Sequence, residues 1–161
     1  LYHIGMLYYK INEPDSSLLF VEKGLQHNPR HPYLHLLKGN IHYDKKEFDS
    51  AIVEYKEYEA NTAEVNPIVM KKQGFAYFRM KNFEKALQEF SRAVVENKDD
   101  AVAYFYIGLC FKQLEHVESA ARIIENAIDL SIPESLHSYY AELGDCYYQL
   151  EQFEKAVFNI L

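Results

Sequence analysis

The 161-residue chain has no tryptophan, only two cysteines, five prolines and six glycines, and it is short of positive charge, with 17 Lys and Arg against 24 Asp and Glu. Each shortage removes a class of protein. So few Gly and Pro leave little room for sandwich turns, a collagen repeat or a flexible linker. A formal net charge of −7 and a pI near 5.5 argue against nucleic-acid binding, because counterion release requires a basic face. No uninterrupted apolar run approaches the ~20 residues of a membrane helix, and no signal-peptide pattern is visible. The expectation is a soluble chain with no membrane insertion in this segment, with cytoplasm and periplasm both open. Cys110 and Cys146 each follow a glycine by two residues, where Leu7, Ile41 and Ala76 stand elsewhere, so they read as small hydrophobes. Equivalent places in adjacent repeats lie roughly 10 Å or more apart. A disulfide needs Cα atoms within about 7 Å, so no bridge is expected.

What the chain does have is rings, 14 Tyr and 10 Phe, and a ladder of evenly spaced glycines: Gly5, Gly39, Gly74, Gly108 and Gly144, at intervals of 34, 35, 34 and 36 residues. Twelve residues after each comes a small side chain, Ser17, Ala51, Ala86, Ala120 or Ala156. Glycine inside a helix costs roughly 1 kcal/mol relative to Ala, so five in register need a shared reason. Close packing of a second helix supplies it, and a fixed period in this range signals a repeat array.

The apolar pattern around each glycine is helical. Tyr8, His42, Tyr77, Phe111 and Tyr147 stand three residues after it, and Tyr104, Ile107, Gly108 and Phe111 mark one helix face. Breaks follow at Lys45-Lys46-Glu47, Lys81-Asn82 and Glu151-Gln152. Phe48, Phe83, Val117 and Phe153 then open a second helix, with Asp49, Glu84, Glu118 and Glu154 in its first turn, where the helix dipole favours acids. Tyr55, Phe90, Ile124 and Ile160 follow sixteen residues after each glycine. Between repeats, Asn28-Pro29-Arg30-His31-Pro32, Asn66-Pro67 and Lys98-Asp99-Asp100 offer caps and first-turn prolines. Ile132-Pro133-Glu134 absorbs the extra residues before Gly144.

A helix–turn–helix unit of this length, with bulky residues four before the glycine (Leu1, His35, Met70, Tyr104 and Tyr140), resembles the tetratricopeptide repeat family. The third repeat, from Gly74 and Tyr77 through Phe83, Ala86, Phe90 and Ala93, carries the likeness best. The first departs most, with Pro14, Ser17 and Gly24 at positions of the motif. The resemblance implies an all-α fold, a right-handed α-solenoid of helix–turn–helix repeats. One array spans 1–161: repeat 1 at 1–28, repeat 2 at 29–65, repeat 3 at 66–99, repeat 4 at 100–133 and repeat 5 at 134–161. Repeats 1 and 5 read as truncated.

The resemblance also implies that first helices line a concave groove that receives a peptide or helix of a partner protein. Carried over position by position, it places Tyr2, Met6 and Tyr9 from repeat 1 and Leu36, Asn40 and Tyr43 from repeat 2 on that groove. Repeat 3 adds Lys71, Phe75, Phe78 and Arg79, repeat 4 adds Phe105, Leu109 and Lys112, and repeat 5 adds Asp145 and Tyr148. Such a groove is aromatic and apolar, with a basic middle at Lys71, Arg79 and Lys112 between acidic touches at Asp44 and Asp145. Tyr and Phe four after the glycine are equally suited to packing between helices. Phe75 and Phe105 are expected to serve the fold less and the groove more. One subclass of the family grips a C-terminal carboxylate. Asn40 and Lys71 match its pattern, but Tyr2, Met6 and Phe75 do not, which argues against that clamp.

Catalysis and cofactors are not expected. Seven histidines invite a metal reading, yet His35 and His42 occupy packing positions, and no HExxH or paired-cysteine spacing is present. The acids fall in helix first turns and on exposed faces, and no glycine-rich phosphate loop exists. Two functional classes remain. One is an interaction module, an adaptor or scaffold binding a partner in its groove. The other is a structural, self-associating segment of a larger protein, or a regulatory region attached to an enzyme or sensor outside this chain. The apolar end at Phe153, Val157, Phe158, Ile160 and Leu161 motivates the second, since terminal repeats need a polar outer face.

Overall fold

The computed structural model describes residues 1–132 and 136–160, and not the side chain of Ile160. Most of the expected Ile132-Pro133-Glu134 loop, and Leu161, therefore lie outside the described residues. Among those residues the chain is all helix and turn: α1 (Tyr2–Lys10), α2 (Pro14–His27), α3 (Pro32–Asp44), α4 (Phe48–Ala60), α5 (Pro67–Arg79), α6 (Phe83–Glu96), α7 (Ala101–Gln113), α8 (Val117–Asp129), α9 (Leu136–Gln149) and α10 (Phe153–Ile160). Second helices open at Phe48, Phe83, Val117 and Phe153, where the pattern turned apolar. The chain divides into two compact units, Leu1–Ala76 and Tyr77–Leu161.

The glycines act as contact points between paired helices. A Cβ on Gly39 would lie 2.7 Å from the Tyr55 ring, and one on Gly108 would lie 2.6 Å from Ile124 Cγ1. At Gly5 the nearest atom is Val21 Cγ2 at 3.2 Å. In each case the obstructing side chain stands sixteen residues on, and the backbone carbonyl of the small residue twelve on is within 3.5 Å. Ser17, the one polar member of that small set, donates its hydroxyl to the Gly5 carbonyl at 2.8 Å, which satisfies an otherwise buried polar group.

The core forms locally around these contacts. In the first unit Val21, Leu34, Leu37 and Ile41 make one cluster, and Ala51, Tyr55, Tyr58 and Val69 make another. In the second unit Phe105, Ala120, Ile124, Ala127, Tyr139, Leu143 and Cys146 share a core. Both cysteines are free and buried, and burial pushes their thiols up to about 12 for Cys110 and about 11 for Cys146.

Helix ends agree with the expected punctuation in most places. Asp100 accepts the Ala103 amide at 3.0 Å, Asn82 that of Lys85 at 3.3 Å, and Asn66 those of Ile68 and Val69 at 3.1 and 3.3 Å. The cap of α3 comes from the last residue before Pro32 in the expected 28–32 segment. His31 Nδ1 accepts from Leu34 at 3.3 Å, while Asn28 turns its oxygen to the Arg30 amide within the loop. Each turn between paired helices also contains a left-handed residue that is not glycine. Asn12, Lys46, Lys81, Glu115 and Glu151 have φ between 57° and 64°, each seven residues after its glycine. A left-handed L-residue costs roughly 1–2 kcal/mol, so the packing on both sides of each turn holds it there.

Gly108→Ala is expected to destabilise the chain by about 1–3 kcal/mol, because the added methyl meets Ile124 at its Cγ1 rather than at a mobile tip. Denaturant unfolding checks it, and an unchanged midpoint would refute the packing role.

Candidate interaction faces on the first helices

In the first unit α1, α3 and α5 carry the residues carried over from the resemblance. Tyr2 stacks on His31 at 6.0 Å and leans on Tyr33 at 6.1 Å. Met6 packs against the Val21–Ile41 cluster, and Leu36 and Tyr43 pack against the Tyr55–Tyr58 cluster. The Tyr9 hydroxyl donates to Asp44. Burial, then that carboxylate, pushes the phenol well above its usual range. Asn40 has its oxygen already engaged, accepting from Tyr55 Oη at 3.0 Å and from Lys72 Nζ at 2.6 Å. Lys71 and Phe75 are half-buried.

In the second unit Phe78 sits edge-on to Phe83 at 5.4 Å and to Tyr106 at 5.3 Å, and Arg79 beside it is exposed. Leu109 packs on the Phe105–Leu143 core. Tyr148, 63% exposed, sits edge-on to Phe153 at 5.7 Å. Two expectations are corrected here. Phe105 is only 8% exposed and stacks on Tyr139 at a centroid distance of 4.0 Å and 13°, so its bulk serves the fold by joining α7 to α9. Lys112 is not an open charge. It holds Glu142 at 2.7 Å and Asp145 at 2.5 Å with 15% of its side chain exposed. Burial alone would lower its pKa, but the bonds to Asp145 and Glu142 outweigh this and raise it. Asp145 is lowered in turn, chiefly by Lys112.

Sequence reasoning passed over Lys72 and Glu142. Each stands two residues before its glycine, and each reaches back to the first helix of the preceding repeat. Lys72 lies 5.5 Å from the centre of the Tyr43 ring, and Glu142 meets Lys112. Burial lowers the Lys72 amine against the opposing pull of Asp44. The signal was available as a charged residue in a helix otherwise apolar toward its neighbour, but only once the register between repeats was known.

The histidines read as packing residues are bonded within the fold. His35 is buried, with Nδ1 2.7 Å from Glu54 and Nε2 2.8 Å from the Pro29 carbonyl. His42 meets Glu47 at 2.5 Å. Glu54 also receives Lys38 at 2.8 Å. Burial raises the Glu54 pKa, but the hydrogen bonds from Lys38 and His35 more than reverse this, and it ends below its ordinary value.

Models of the tetratricopeptide repeat match residues 2–64 and 72–131, and a second such model matches 137–160. No curated protein matches the chain in sequence. Among solved structures, one described as the crystal structure of MamA is 20% identical, with a TM-score of 0.88 over 98% of this chain and 90% of that one. YrrB, described as a TPR protein with an unusual peptide-binding site, is 20% identical with a TM-score of 0.86 over 96% of this chain and 78% of its own. PilF of Pseudomonas aeruginosa is 19% identical, with a TM-score of 0.75 over 98% of this chain and 71% of its own. These likenesses show the fold.

Because Glu54 is lowered on folding, its contribution to stability is full above its ordinary value of 4.5 and is lost as pH falls through the folded value. The gap in Tm between the wild type and Glu54→Gln is therefore expected to be widest at neutral pH and to close in acid. A gap that stays constant across thermal melts from neutral to acid pH would refute this.

Proposed function

This chain belongs to the tetratricopeptide repeat family, and from that premise we propose that it is an adaptor whose first-helix faces bind an extended or helical segment of a partner protein. Proteins built of this repeat are in general interaction modules rather than enzymes, and among the described residues no helix is long and apolar enough to cross a membrane. The observation that carries the reading is the incomplete burial of rings on the first helices. Tyr2, Tyr9, Tyr43, Phe75 and Phe78 are each only partly covered, and Tyr148 is exposed. Rings of this kind, held by neighbours yet open on one side, are frequent anchors of interfaces. The description of YrrB as having a peptide-binding site adds support from the same fold. Lys71 and Arg79 are the cations that would favour an acidic segment, acting on specificity and on-rate more than on raw affinity.

A second reading, self-association, rests on α10, where Phe153, Val157 and Phe158 are 54%, 56% and 84% exposed. One experiment separates the two. A partner is captured with the intact protein and identified, and its affinity is compared for wild type, Lys71→Glu and Tyr148→Ala, with light scattering on the same samples. A loss of about tenfold or more in either variant, with a monomer in scattering, is the expected outcome. Unchanged affinity in both would overturn the first-helix assignment, and a concentration-dependent oligomer with no partner would favour the second reading.

A further inference from the structure

The two units contain the same cleft, with a carboxylate beside two cations in the first and two cations alone in the second. It opens where a first helix ends, beside the turn into its second helix and the end of the next first helix. In the first unit it measures about 350 Å³ and is lined by Tyr9, Lys10, Asn12, Pro14, Asp44 and Lys45 among others. In the second it measures about 270 Å³ and is lined by Phe78, Arg79, Lys81, Phe83 and Gln113. The two sets correspond by position. Tyr9 and Phe78 stand four after a glycine, Lys10 and Arg79 five, Asn12 and Lys81 seven, and Pro14 and Phe83 nine. Asp44 and Gln113 stand five after the next glycine.

The first cleft supplies its own anion. Asp44 accepts the Tyr9 hydroxyl, and Lys45 is paired with Asp15 at 2.6 Å. In the second cleft the Asp44 provision is missing, and Leu114 stands where the first has Lys45, although Glu84 keeps an acid at the position of Asp15 outside the lining. Phe78 has no hydroxyl, Gln113 has no charge, and Lys81 adds a cation where the first has Asn12. No carboxylate lines it. Arg79 and Lys81 are exposed, and neither makes an ion pair among the described residues; in the first cleft Lys45 is paired with Asp15, and Lys10, at the position of Arg79, faces a cleft that already holds Asp44.

We infer that the second cleft receives an aspartate or glutamate side chain of the bound partner segment, next to an apolar residue that rests on the rings of Phe78 and Phe83. The partner's carboxylate takes the part that Asp44 plays from within the chain in the first cleft. This rests on the first-helix reading above and adds what the partner must contain. The volume is below the roughly 300 Å³ at which small-molecule sites begin, which suits one side chain and not a whole cofactor. Arg79 offers a planar fork for a carboxylate, and Lys81 a second charge-assisted donor. Carbonyl ends of helices repel an anion by about half a charge. Asp44 shows that a carboxylate is nevertheless held at this place, and two full positive charges outweigh the repulsion.

The test uses the full chain and a display library of short random peptides. Enriched peptides are synthesised with their acid kept or replaced by its amide, and binding is measured to wild type, the double variant Arg79→Gln with Lys81→Gln, and Gln113→Asp. All three substituted side chains are exposed, and thermal melts check that the variants fold. The expected result is enrichment of acid-plus-apolar peptides. Their affinity should fall about tenfold or more when the acid becomes an amide, when both cations are removed, or when Gln113→Asp places an internal carboxylate in the cleft. Enriched peptides indifferent to all three changes would overturn the cleft while leaving the first-helix reading in place. Failure of any peptide to enrich would overturn both.

Discussion

Everything in this fold depends on how closely two helices of one repeat approach. The glycine in the first helix removes a side chain where the residue sixteen on must lie, and the small residue twelve on removes the bulk opposite. Tyr55 lies against Gly39 and Ile124 against Gly108 with no room for a methyl between them. That contact fixes the register of the pair, and the register decides which side chains of the first helix are left for the neighbouring repeat or for solvent. The turn is subordinate to it. Five left-handed residues, none a glycine, are held against their own preference because the helices on either side are already placed.

The charge on the first helices is mostly spent inside the molecule. Lys38, Lys72 and Lys112 each meet an oxygen on a neighbouring helix, Lys38 within its own repeat and Lys72 and Lys112 across to another, so they hold helices together and contribute little open field. This narrows the electrostatic reading of the faces. An acidic partner would be selected by a small number of cations, and Arg79 and Lys81 are two exposed ones that make no ion pair among the described residues. Affinity would come from rings such as the half-buried Tyr43 and the exposed Tyr148, because charge at a rim acts chiefly on encounter and choice of partner.

The fold was legible in the sequence because its determinant is periodic and local. Glycine, small residue and second-helix aromatic recur at fixed offsets, so the helices could be read from Phe48, Phe83, Val117 and Phe153 without any tertiary information. The face was legible only in part, because its state depends on contacts between repeats. Phe105 reads as groove from its position, yet Tyr139 lies one repeat later and covers it. Lys112 reads as an open cation, yet Glu142 and Asp145 close on it from α9. Position within a repeat gives direction, and only the neighbour gives burial. His31 shows the same limit at a helix end: the 28–32 segment is expected to offer a cap, and only the structure shows that the His31 imidazole gives it.

The position just before the glycine shows how such an array tolerates local faults. Repeats 1, 4 and 5 place Ile4, Ile107 and Leu143 there, and repeats 2 and 3 place Lys38 and Gln73. Lys38 is resolved by Glu54, which His35 also holds, so a charge near the core becomes a bonded network. Gln73 is not resolved. It is wholly buried, and neither its amide oxygen nor its nitrogen has a partner, an arrangement that costs on the order of 1–3 kcal/mol. In a single-core domain such a fault would weaken everything. In a repeat array stability is a sum of neighbouring terms, so the penalty stays near α5 and the rest of the array holds its register. The same locality lets one cleft keep its internal carboxylate while its counterpart two repeats later loses it. A first-helix face can therefore change its chemistry one repeat at a time without disturbing the glycine contacts that build the fold.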